Sequence, residues 1–148
     1  MPSPHPVMAM VNNFRNVSLL LMRIILAGIF INAGYAKIMM WSTPMEGMSS
    51  AMVLLMKFLA IAEPIGGLAL LIGLWTRSAA LCLAIIMAGA NYFVYSMGAP
   101  LFTGLQGIGL DYTLLLFASC LMVAAFGPGR WSVDATVRGK ACDSGMGQ

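Results

Sequence analysis

Residues 18–40 read SLLLMRIILAGIFINAGYAKIMM, an apolar run whose charged side chains are Arg23 and Lys37. A helix of about 20 apolar residues crosses the hydrocarbon core of a bilayer. The run is longer than the apolar region of a secretory signal peptide, which Arg23 would also interrupt. We therefore interpret it as a transmembrane helix and not as a cleaved leader.

Three more apolar runs follow, at residues 52–74, 78–95 and 111–126. The chain has 148 residues, of which 60% are hydrophobic and 9% charged, whereas about 25% of the residues in a soluble domain are charged. We predict an all-α fold, an integral membrane antiparallel four-helix bundle at residues 18–134. A polar leader at residues 1–17 and a flexible cytoplasmic tail at residues 135–148 are expected to flank it.

Basic residues predict the orientation of the bundle. Most of the Lys and Arg side chains fall before the first helix, between the second and third helices, or after the fourth: Arg15, Arg77, Arg130, Arg138 and Lys140. Cytoplasmic loops carry the excess of such residues, so both termini are expected in the cytoplasm. The basic residues form no run that could follow a phosphate backbone, and no nucleic-acid partner is expected.

Charges inside the predicted helices are the most informative feature for function, because an ionised group at mid-membrane normally faces protein or a cavity. Arg23 and Lys37 are 14 residues apart, which places them within about 40° on a helix. Ala27, Phe30 and Gly34 complete the same stripe, and its small residues favour close helix packing. The stripe is expected to be the buried face.

Glu63 lies near the middle of the second run, followed by Pro64, which removes a helical hydrogen bond. A carboxyl group at that depth needs a cationic or hydrogen-bonding partner. Lys37 and Arg23 are the candidates.

Together these polar residues predict a ligand pocket. Its candidate residues are Arg23, Lys37, Glu63, Asn91, Tyr92 and Asp111. Quinone carbonyl oxygens need hydrogen-bond donors such as lysine, arginine, tyrosine or asparagine, and a carboxylate can exchange the protons that accompany reduction. Two alternatives stay open: the charges pair only to lock the helices in register, or the pocket takes another small lipid. No catalytic residue is identified.

Histidine and cysteine limit the cofactors. His5, the one histidine, lies in the leader, so a bis-histidine haem within the helices is excluded. No glycine-rich loop follows a predicted strand, so no flavin or dinucleotide is expected. Cys82 and Cys120 sit in apolar runs and are interpreted as buried thiols, with a disulfide between them or a redox thiol as the alternatives. Cys142 is interpreted as a reduced thiol in the tail.

Methionine is frequent, and five residues cluster around the first connection: Met39, Met40, Met45, Met48 and Met52. Thioethers suit Cu(I), although methionine also fills irregular gaps between helices. We expect gap filling, with copper handling as the less favoured alternative.

Further landmarks recur in order along the chain. In the first helix they are Arg23, Gly28, Phe30, Gly34 and Lys37. Glu63 and Gly66 follow, then LIGLWTR at residues 71–77 and GPGRWSVD at residues 127–134. This order resembles that of the DoxX family over residues 20–134. Asp111 is a departure, since the family often has glutamate at the start of the fourth helix.

The resemblance implies a small multi-pass protein of the bacterial inner membrane. The family includes a subunit linked to thiosulfate:quinone oxidoreductase and members associated with oxidative or thiol stress. The resemblance therefore implies an accessory or quinone-binding subunit of a respiratory or sulfur- or thiol-linked oxidoreductase complex, not a stand-alone enzyme. Other subunits or further copies of the chain are the expected protein partners. A purely structural membrane anchor is the competing function.

Overall fold

The computed structural model describes residues 6–42, 49–104, 107 and 109–136. Its helices are α1 (Pro6–Met39), α2 (Ser50–Ile72), α3 (Thr76–Ser96) and α4 (Leu110–Phe126), with a short 3-10 helix at Met40–Ser42. The described part of the chain contains no strand, which confirms the predicted all-α class.

Helices α1 and α2 form an antiparallel hairpin. Arg23 near the middle of α1 meets Leu70 at the end of α2, whereas Gly34 near the end of α1 faces Pro64. Later residues of α1 therefore contact earlier residues of α2, so the two helices run in opposite directions.

Helices α3 and α4 form the second antiparallel hairpin, in which Arg77 lies beside Gly127 and Asn91 bonds to Thr113. Each hairpin is tightly packed, but α2 and α3 touch more sparsely than either hairpin's own helices do. We call the end with residues 73–75 and 127–134 the turn end, and the end with residues 97–109 the loop end.

Leu26, Phe30, Leu70, Leu83 and Val123 form part of the apolar core. Arg23, Ala27, Phe30 and Gly34 are all buried, which confirms these four members of the predicted stripe on the first helix. Large apolar side chains also cover the outside of the bundle, including Leu54, Ile65, Ile85 and Leu115. A surface of this kind is suited to lipid and not to water.

Within the part of the chain that the structure describes, three helices are long and apolar enough to cross a membrane, namely the segments Met10–Met39, Ser50–Ile72 and Thr76–Ser96. Helix α4 is also apolar but has 17 residues, about the shortest length that spans a bilayer. The chain is thus a multi-pass membrane protein.

The first helix begins earlier than predicted, because the described part of the expected polar leader is helical from Pro6 onward. Proline is well tolerated as the first helical residue, where its missing N–H has no partner to lose. At about 1.5 Å per residue, 34 residues span about 51 Å, well beyond the hydrocarbon thickness of about 30 Å.

Candidate ligand-binding site

Lys37 and Glu63 form an ion pair between α1 and α2, with Lys37 Nζ 2.5 Å from Glu63 Oε2. The Glu63 side chain is 3% exposed and the Lys37 side chain 25% exposed. Both helices approach closely here because Gly34, one turn before Lys37, has no side chain to hold Pro64 away. Of the two partners predicted for Glu63, Lys37 and Arg23, the structure therefore pairs it with Lys37.

A cavity of about 470 Å³ opens beside this pair and is lined by side chains from all four helices. Most of its wall is apolar, with Phe30 and Leu116 among the lining residues. Lys37 and Glu63 stand in that wall, together with Tyr112 and Thr113 from the first turns of α4. The arrangement combines one ion pair and two hydroxyl groups in an otherwise apolar space.

Asn91 supports this wall from behind. The Thr113 hydroxyl donates to Asn91 Oδ1 at 2.6 Å, which joins α3 to α4 beside the cavity. Tyr92 is not among the residues that line the cavity, and it is 76% exposed. Tyr112 is the tyrosine in the cavity wall. The sequence analysis did not identify Tyr112 or Thr113. Both directly follow Asp111, which places them at the membrane depth predicted for Lys37.

Arg23 also lies outside the cavity, at the turn end. Along α1 it is about 21 Å from Lys37, since 14 residues rise about 1.5 Å each. The residue is 1% exposed. It donates to four carbonyl oxygens, those of Leu70, Leu71, Pro128 and Trp131, at 2.7–3.1 Å. Arg23 therefore joins the end of α2 to the segment after α4, and Glu63 is left to Lys37.

Asp134 completes the turn end. Its carboxylate accepts hydrogen bonds from the backbone N–H groups of Trp75 and Thr76 and from the Thr76 hydroxyl, at 2.9–3.0 Å. A carboxylate at a helix N-terminus satisfies open donors and matches the positive end of the helix dipole. Asp134 thus caps α3 from 58 residues away, a role that the local sequence around Trp75 does not reveal.

Asp111 is placed in the loop end and not in the cavity wall. Its Oδ1 accepts from the Thr103 N–H at 2.9 Å and from the Thr103 hydroxyl at 2.7 Å. The Tyr112 N–H is 2.8 Å from the same oxygen. Asp111 therefore holds the loop against the start of α4, next to the two α4 residues that line the cavity.

The structure describes three of the five methionines around the first connection. Met39 and Met40 are exposed, whereas Met52 lines the cavity. Met45 and Met48 lie outside the described residues. Among the described residues no three His, Cys, Asp or Glu side chains gather into a group that could hold a metal ion.

The fold and this polar pair define a multi-pass helical membrane protein with a cavity between its helices. The DoxX family model matches residues 18–96, which span the apolar part of α1 and all of α2 and α3. The match covers more than half of the chain and includes Lys37 and Glu63, so the protein belongs to the DoxX family. Searches of the curated proteins and of the solved structures find no match.

Proposed function

We propose that this protein is an accessory membrane subunit of an oxidoreductase complex and that it binds a quinone headgroup beside Lys37 and Glu63. The ion pair in the wall of the apolar cavity carries this proposal. A volume of about 470 Å³ lies within the usual range for small-molecule pockets, about 300–1,000 Å³. Such pockets combine an apolar wall with a few polar groups that fix the ligand's orientation.

The chemistry of these residues suits a quinone. A lysine ammonium has three donors, and Glu63 occupies one of them, so donors remain for a quinone carbonyl oxygen. The Thr113 oxygen can accept a hydrogen bond from a quinol hydroxyl, since its own hydrogen is directed to Asn91. Glu63 can exchange a proton with the ligand. The two electrons that convert quinone to quinol would come from a redox group on a partner subunit.

A structural anchor is the second candidate function, and one observation favours it. Lys37 and Glu63 pair with each other, and Arg23 bonds to four carbonyl oxygens. These charges thus find their partners within the protein and join the helices. On this alternative the protein would assemble other subunits and hold no quinone.

We further propose that the protein lies in the bacterial inner membrane with both termini in the cytoplasm. The support is the placement of the basic residues: Arg77 lies beside Gly127 at the turn end, and Arg130 is exposed in the segment that follows. An excess of basic residues at one end of the bundle favours the cytoplasmic side of the membrane for that end, here the turn end.

The test is to remove the pair in two ways and measure the quinone retained per folded protein after gentle purification with partner subunits. Lys37→Met alone leaves the Glu63 charge buried without a partner, which costs about 3–5 kcal/mol of stability. Lys37→Met combined with Glu63→Gln removes both charges and should restore folding. We expect the double variant to fold and to lose quinone.

Lys57→Met is the matched control, because Lys57 is exposed on α2 and is not among the residues that line the cavity. It should keep both folding and quinone. Wild-type protein that carries no quinone would support the structural anchor instead. Equal retention in the wild type and the double variant would place the quinone elsewhere.

A further inference from the structure

A second apolar groove runs between α2 and α3 toward the turn end. Its volume is about 550 Å³. Gly66 of α2 packs against the Leu83 side chain of α3, and small side chains such as Ala62, Ala79 and Cys82 leave space along the wall. The groove contains no charged residue among the side chains that line it. Its chemistry therefore suits a hydrocarbon chain and not a headgroup.

The groove adjoins the cavity at Lys37 and Glu63. Phe58, Ile85 and Ile86 line both spaces. Both spaces are lined by residues of α2 and α3, two helices that contact each other sparsely. One of them holds the ion pair and the other is apolar, so together they match a molecule with a polar head and a long apolar tail.

We infer that the ligand is an isoprenoid quinone, with its ring in the cavity at Lys37 and Glu63 and its tail in the groove between α2 and α3. This inference rests on the proposed quinone site and adds the substrate class. Lipid tails are as apolar as the groove, so the tail gains affinity by packing against its walls and not by leaving water. The expected contribution is therefore moderate.

The experiment fills the groove and leaves the cavity unchanged. Cys82, which the sequence wrongly suggested to be a buried thiol, is exposed on α3 and lines the groove but not the cavity. Cys82→Trp should therefore fold and exclude the tail. Ala88→Trp is the matched control, since Ala88 is exposed on the same helix and lines neither space. Binding is measured in one detergent for two probes: a fully substituted benzoquinone without a tail, and the same ring with a farnesyl tail.

Cys82→Trp should weaken binding of the farnesyl quinone by about fivefold to tenfold and leave binding of the tailless ring unchanged. Ala88→Trp should change neither. In the wild type, bound farnesyl quinone should slow the alkylation of Cys82 by N-ethylmaleimide, whereas the tailless quinone should not. This second measurement needs no variant to fold.

The outcomes separate the two proposals. Failure of the wild type to bind either ring defeats the quinone site itself. The tailless ring could bind while Cys82 is alkylated at the same rate with either quinone bound. That result would overturn the tail groove and leave the ring site standing. Unchanged affinity of Cys82→Trp for the farnesyl quinone, or an equal loss of both probes, would also overturn the tail groove.

Discussion

Arg23 Nη1 donates a hydrogen bond of 2.7 Å to the carbonyl oxygen of Pro128, 105 residues later in the chain. Through this contact the first helix holds the segment that follows the last one. The same guanidinium reaches the carbonyl ends of α2 through Leu70 and Leu71. A buried arginine therefore satisfies carbonyl groups that a helix end leaves without partners inside the helix.

Arg23→Lys should destabilise the protein although the charge is kept. A lysine ammonium is a point charge and cannot reproduce the planar fork that reaches four carbonyl oxygens. Loss of even one or two charge-assisted bonds should lower the free energy of unfolding by about 2 kcal/mol or more. Thermal unfolding in detergent, followed by circular dichroism, measures this. Arg130→Lys is the control, since Arg130 is exposed; equal unfolding temperatures for the two variants would contradict the assigned role.

Asp134→Ala should loosen the start of α3. The carboxylate accepts from the backbone N–H groups of Trp75 and Thr76, and loss of such a cap costs about 1 kcal/mol. Asp134→Asn keeps an acceptor and removes the charge, so it should cost less. Hydrogen exchange at the Trp75 and Thr76 amides reports the effect directly. Unchanged exchange at these amides in Asp134→Ala would show that the cap contributes nothing.

Gly34→Ala should be destabilising, whereas Gly28→Ala on the same helix should not. A Cβ at Gly34 would lie against the Pro64 ring, 2.7 Å from its Cγ, and the rigid ring cannot move aside cheaply. Overpacking of this kind costs about 1–3 kcal/mol. A Cβ at Gly28 would meet nothing within 4 Å, and alanine favours a helix over glycine by up to about 1 kcal/mol.

The same pair of variants tests how the cavity is held in place. If the Gly34 contact positions Lys37, Gly34→Ala should lower quinone retention per folded protein and Gly28→Ala should leave it unchanged. Opposite signs for the two stability changes are the expected result. A stabilising effect of Gly34→Ala would show that α1 and α2 are not packed as closely as described.

Reporter fusions test the proposed orientation. A periplasm-active reporter fused at Gly104, in the loop end, should be active, and the same reporter fused after Asp134 should be inactive. A cytoplasm-active reporter should show the reverse. The physical reason is the excess of basic residues at the turn end. Activity of one reporter at both sites would defeat the four-span topology as well as its orientation.

Sequence alone was enough to predict the helical class and the approximate helix positions, because bilayer thickness sets the length of an apolar run. It also identified the buried face of α1 at Arg23, Ala27, Phe30 and Gly34, since helical periodicity places these residues on one side. The start of α1 was not predicted because residues 1–17 were interpreted as a polar leader, whereas a proline such as Pro6 can begin a helix.

Tertiary structure decided which polar residues meet. Arg23 and Lys37 share one face of α1, and the sequence offers both as partners for Glu63. Antiparallel packing of α1 on α2 brings Lys37 to Glu63 and carries Arg23 to the carbonyl groups at the turn end. The pairing of α3 with α4 likewise puts Thr113 against Asn91 and leaves Tyr92 on the outside. Periodicity describes one helix at a time, whereas the depth at which two helices match depends on close contacts such as that of Gly34 with Pro64.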